Sequence, residues 1–203
     1  YRRLAKLQHL TGEHKDALAS YEKAIGIGDK IIAANPDAQV HRLVLSLIGL
    51  GDLQNDIGNS QEATASYERA VEIASKAISE KRSQIPWSLM GEALYRLNRW
   101  QEARDALESD NRSSKRTEPT IAAGPHWWFL TMALAQLEEK DKASSHYKQL
   151  SAQLDAWENP PSLHVGLRAE AAELLGITEP KEDKTQDEEK TNSKTPDEAG
   201  VEK

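Results

Sequence analysis

Six histidines are available for metal binding or general acid–base chemistry: His9, His14, His41, His126, His146 and His164. None belongs to an H-E-x-x-H pattern, in which two histidines one helical turn apart hold zinc beside a catalytic glutamate. Their spacing from acidic residues suits no shared helix face either, so no metal and no cofactor is expected. There is no cysteine, which removes disulfides, thiolate nucleophiles and cysteine-ligated zinc. The 33 aspartates and glutamates fall on polar faces of helical segments, where carboxylates are ordinarily solvated. G-x-S-x-G and the phosphate-binding loop are both missing. The "GIG" at 26–28 lacks the third glycine and the preceding strand of a dinucleotide loop, and reads as a flexible turn of helix. "NRS" at 111–113 matches a glycosylation acceptor, but without a secretory signal it reads as chance. "RSSKR" at 112–116 reads as a solvated basic loop. These residues predict that the chain is not an enzyme.

What remains is recognition. "HWWFL" at 126–130 puts three aromatic residues in a row in a chain with only 5 % aromatics. They are either a sticky surface or part of a core, and the elements that carry them decide which. The net charge of −7 argues against a nucleic-acid partner. The longest uncharged apolar stretch, "LVLSLIGLG" at 43–51, is too short to span a bilayer, so no membrane is expected. The first ten residues lack the apolar run of a signal peptide, and the expected location is cytoplasmic. The start at Tyr1 rather than Met reads as a piece of a longer protein.

The elements follow from an internal repeat. Ala17, Ala63, Ala103 and Ala143 lie 46, 40 and 40 residues apart, and each is followed four residues later by a large residue: Tyr21, Tyr67, Leu107 or Tyr147. Sixteen residues before each alanine stand Tyr1, Leu47, Trp87 and Trp127. Three residues after those come Leu4, Leu50, Met90 and Leu130, each next to a small residue: Ala5, Gly51, Gly91 or Thr131. Two antiparallel helices per unit explain the pattern. The large residue of the first helix (A) fills the pair, and small residues let the second helix (B) approach.

This pattern resembles the tetratricopeptide repeat, W-x2-L-G-x2-Y followed by A-x3-F and then proline. Trp87, Met90, Gly91, Leu94, Ala103 and Leu107 are its fullest match, and Pro36 stands as the terminal proline of the first unit. The resemblance implies an all-α fold, an α-solenoid of about four such hairpins over residues 1–36, 43–82, 85–110 and 125–158, closed by a capping helix at about 162–176. The repeat is longer than the usual period of about 34 residues. The first two units extend their B helices, and the third adds a loop at 109–125, with Pro86 and Pro125 near the starts of A helices. The cap is expected to bury Leu163, Leu167, Ala171 and Leu174, with Trp157 packed beneath it. Residues 178–203, acidic and poor in apolar side chains, are expected to be disordered. Residues 120–177 are also similar to the repeat region of large planctomycete-type bacterial proteins, in which a Ser/Thr kinase domain often precedes such repeats. No kinase motif stands in this chain.

A stacked array curves, with A helices on the concave side. The inward positions then include Lys6, His9, Asp52, Asn55, Glu92, Tyr95, Arg96, Trp128 and Met132, a groove running from basic through acidic to apolar. The register makes Trp127 and Phe129 core, and leaves Trp128 between ligand contact and packing. The resemblance implies a scaffold that binds a peptide or partner protein in this groove. The alternatives are a regulatory region of a kinase and a self-association module. The lysine and arginine clamp by which related domains hold a terminal carboxylate is missing here.

Overall fold

The computed structural model describes residues 1–35, 38, 40–81 and 87–178. Pro36, Pro86 and residues 179–203, with the expectations placed on them, lie outside the described residues. Within them the α-helices are α1 (Arg2–Leu10), α2 (His14–Ala34), α3 (Val40–Asp56), α4 (Ser60–Ser79), α5 (Trp87–Arg96), α6 (Trp100–Ser113), α7 (His126–Gln136), α8 (Lys140–Asp155) and α9 (Ser162–Leu175). A short 3-10 turn, Ile121–Ala123, precedes α7. The result is an all-α solenoid: α1 packs on α2, α3 on α4, α5 on α6, α7 on α8, and each hairpin packs on the next.

The hairpins close alike. The turn between A and B helices places Gly12, Gly58, Asn98 and Glu138 at φ of 79°, 84°, 58° and 62°. In each, the next amide reaches back five residues: Glu13 N–H to Gln8 O, Asn59 to Gln54, Arg99 to Leu94 and Glu139 to Leu134, at 2.7–3.0 Å. This is the left-handed helix end that glycine tolerates best. The third unit uses asparagine, and the fourth holds Glu138 there against the side-chain clash that disfavours this region.

Behind each turn the two helices meet through small residues. Ala17, Ala63, Ala103 and Ala143 are buried, as are Tyr21, Tyr67, Leu107 and Tyr147 one turn on. A Cβ on Gly51 would stand 2.5 Å from the Tyr67 ring, and one on Gly91 would overlap Leu107. Polar ties repeat as well: Ser20 donates to Gln8 Oε1 at 2.8 Å, and Ser66 to Gln54 Oε1 at 2.6 Å. "GIG" is helical within α2, where Gly28 lets Leu43 of α3 approach.

The core divides into one apolar cluster under α1–α4 and another under α5–α9, with Val71 and Met90 packed against both. Trp127, Phe129, Leu130 and Leu134 belong to the second. Three placements differ from expectation. Tyr1 and Leu4 are exposed, because among the described residues no helix lies against that side of α1; Leu7 and Leu10 stand out as well. Helix α6 runs on to Ser113, past the expected loop start at 109, because the Asp110 carbonyl accepts the Ser113 and Ser114 hydroxyls and the Asp110 carboxylate pairs with Arg116. The loop then returns to α8, where Gln153 donates to Pro119 O at 2.8 Å and accepts from the Ile121 amide. In α9, Leu167 and Ala171 are buried and Leu174 half-buried, but Leu163 is exposed, as is Trp157, whose ring stands edge-on to that of His164.

Candidate functional site

Which helices face inward follows from how they touch. Helix α1 approaches α3, α3 approaches α5, and α5 approaches α7, whereas α2 and α4 reach each other through long side chains, Arg69 to Asp29 at 2.7 Å. The A helices therefore form the tighter, concave side. Side chains one to two turns into each A helix project there.

At the centre is Arg96 on α5. Its Nε lies 3.3 Å from Asp52 Oδ1 on α3, and its Nη1 lies 3.8 Å from Glu170 Oε2 on α9. The guanidinium lies over the Phe129 ring, 5.2 Å from the centroid, as cations do over aromatic faces. Two tyrosines complete the chain of contacts: Tyr67 donates to Asp52 Oδ1 at 2.8 Å, and Tyr95 donates to Glu170 Oε1 at 3.3 Å. Burial pushes both hydroxyls well above the usual tyrosine range, and the neighbouring carboxylates push them further, so both stay protonated donors. Burial alone would lower the Arg96 pKa, but the charges of Asp52, Glu92 and Glu170 more than offset it. Nearer the N-terminal end, His9 Nε2 meets Asp56 Oδ2 at 2.8 Å, tying α1 to α3.

Glu92 is the exception in this network. It is half-buried on α5, and among the described residues no hydrogen bond or ion pair reaches its carboxylate. Burial first and the charge of Asp52 second push its carboxyl up to about 7, against partial relief from Arg96 and Lys6. Lys6 is exposed on α1, and Asn55 is exposed on α3.

Structure and expectation part at the C-terminal end. Trp128 and Met132 are both 0 % exposed and so are core, not groove surface. Helix α9 packs on α7 and α8, and the indole N–H of Trp128 donates to His164 Nδ1 at 3.1 Å. Tyr95 is buried too, its ring edge-on to Phe129 at 5.6 Å and its hydroxyl taken by Glu170. The expected run from basic through acidic to apolar therefore stops at Glu170. Sequence reading missed Glu170 and the inner role of Tyr67. One signal was available: Met132 stands where α3 and α5 carry Asp52 and Glu92, and an apolar residue at that polar position marks a surface that is covered.

A cavity of about 530 Å³ lies among α1, α2 and α3, lined by Ile27, Ile31, Leu43, Arg2 and Arg3. Among the described residues, no group of three or more histidines or carboxylates could hold a metal ion, and no helix is long and apolar enough to cross a membrane.

An all-α solenoid with a polar concave face is the architecture of an interaction scaffold. Residues 45–76, most of the α3–α4 hairpin, match the family model described as tetratricopeptide repeat. No curated protein matches the chain. Among solved structures, the crystal structure of MamA is similar at 20 % identity over 85 % of this chain and 90 % of that one, with a TM-score of 0.37, too loose a superposition to carry fold or function across. The match supports a tetratricopeptide repeat over the α3–α4 hairpin, and the repeated helical hairpins support a protein-interaction scaffold.

Proposed function

We propose that the chain docks an extended peptide segment of a partner protein on the concave face formed by α1, α3 and α5. The observation that supports this most is the concave face itself: Lys6, His9, Asp52, Asn55, Glu92 and Arg96 are all at least partly solvent-accessible there, on rigid helices. Helices present such groups on a backbone that is already ordered, which favours binding. Photo-crosslinkers at Asn55 and, as an outer-face control, at Glu72 test it. A partner identified through Asn55 should lose binding to the Lys6→Glu and Glu92→Lys variants while keeping its affinity for Glu72→Lys. A partner equally indifferent to all three would remove the groove from the function.

Two further readings rest on other observations. Exposed Tyr1, Leu4, Leu7 and Leu10, the leucines 47 %, 59 % and 69 % accessible, leave α1 with uncovered apolar side chains that suit packing against a second copy. Light scattering over a concentration series decides this, since a chain that stays monomeric ends the reading. The likeness of residues 120–177 to repeats found beside bacterial Ser/Thr kinases favours service as a kinase's interaction region, which the coding sequence ahead of Tyr1 resolves.

A further inference from the structure

Within the groove reading, which this inference depends on, the charged side chains are unequally matched. Asp52 is held by Arg96 and Tyr67, Asp56 by His9, and Glu170 by Arg96 and Tyr95. Arg96 is thus already shared between carboxylates on two helices, and its face is closed by Phe129. Lys6 is exposed and reaches Glu92 only through space. With Asp56 paired to His9, the three carboxylates of Asp52, Glu92 and Glu170 stand against the two cations of Arg96 and Lys6.

We propose that Glu92 is the anchor point of the groove, and that it receives a lysine or arginine side chain of the docked peptide. Three arguments converge on that occupant. Glu92 is the groove carboxylate that no hydrogen bond or ion pair satisfies among the described residues. A half-buried carboxylate in that state gains more from an incoming cation than an exposed one does, since water screens the pair less. A partner carboxylate at the same place would meet Asp52 and Glu92 together, and like charges brought together at an interface select against that partner. The groups facing Glu92 from the packed helices are Lys6 on α1, Asp52 on α3 and Arg96 on α5. Lys6 lies at the outer edge and is free to swing toward solvent when a second cation arrives.

The test uses the full chain and a phage-displayed library of random twelve-residue peptides. Selected sequences should be enriched in lysine and arginine. A synthetic winner, followed by fluorescence anisotropy, should bind Glu92→Gln about tenfold more weakly. Replacing its basic residue by glutamine should cost the same factor, and the two changes together should cost little more than either alone. Circular dichroism checks that the variants keep their helicity. Asn55→Trp, at an exposed groove position, separates the two levels of the argument. Peptides blocked by Asn55→Trp but indifferent to Glu92→Gln would overturn the role of Glu92 and leave the groove standing. Peptides indifferent to both, or no selected peptide at all, would overturn the groove reading and this inference with it.

Discussion

A carboxyl that titrates at about 7 in the fold rather than at 4.5 has a consequence for stability. Between those two pH values the folded chain holds a proton at Glu92 that the unfolded chain has released. Stability contributed by this residue is therefore intact below pH 4.5 and falls as pH rises through 7. Glu92→Gln keeps the shape and cannot ionise, so it should stabilise the protein by an amount that grows with pH. Linkage puts the difference at about 0.4 kcal/mol at pH 4.5 and about 2 kcal/mol at pH 6, with a ceiling of about 3 kcal/mol at pH 8. Glu92 is partly solvated, and screening reduces the expected gain at pH 8 to about 1–2 kcal/mol. Urea unfolding of the full chain at pH 5, 6.5 and 8, read as variant minus wild type, measures it, and a midpoint gain of about 0.5–1 M at pH 8 is expected. Taking the difference cancels every other titrating group distant from Glu92. A difference that is flat with pH, or a variant less stable than wild type at pH 8, would mean that the fold does not hold Glu92 protonated. A stabilised variant that also binds peptide more weakly would show Glu92 kept at a cost to the fold, as functional groups often are.

Other perturbations probe separate parts of the structure. Glu138→Gly relieves a left-handed position that already has glycine in the first two units, and should raise stability by about 1 kcal/mol in thermal or urea unfolding. Gly91→Ala drives a methyl group into Leu107 and should cost about 1–3 kcal/mol, whereas alanine at Gly26, where nothing lies within 4 Å of the added carbon, should be neutral or stabilising. Trp128→Ala should cost about 3–5 kcal/mol and loosen α9, visible as faster amide exchange there, because the indole is fully buried and bonded to His164. Burial holds His164 and His146 below the usual histidine value of 6.5. The unfolded chain takes up protons first, so stability should be complete above pH 6.5 and fall as pH drops below it. Glu92 acts in the opposite direction over part of that range, so the histidine effect should stand out most clearly in the Glu92→Gln background.

The hairpins were readable because their contacts are local and repeated. Alanine and a large residue four apart, set at a fixed distance from a small residue in the preceding helix, leave little choice but two helices in close contact. Even the turns carry a signal, since Gly12, Gly58 and Asn98 recur in register with the alanines. Glu138 hides the fourth turn, because packing of α7 on α8 overrides the residue's own preference. The site was less legible. Lys6, Asp52, Glu92 and Arg96 could be placed on one side by helical phase alone. Their pairing could not, because Asp52, Arg96 and Glu170 come from helices far apart in the chain, and periodicity says nothing about such distances.

Helix α9 shows why this matters for function. Read as a cap, it covers the last hairpin and leaves the groove its full length. Packed as it is, it lies over Trp128 and Met132 and sends Glu170 to Tyr95 and Arg96. The same residues that end the groove also brace it, since Arg96 connects α9 to Asp52 on α3. Arg96 therefore belongs to the frame that holds the groove, while Glu92, four residues earlier on α5 and so one turn away, faces the same side with no hydrogen bond or ion pair among the described residues. Neutralising Arg96 should disturb α3, α5 and α9 together, whereas neutralising Glu92 should leave them in place, raise stability and weaken peptide binding.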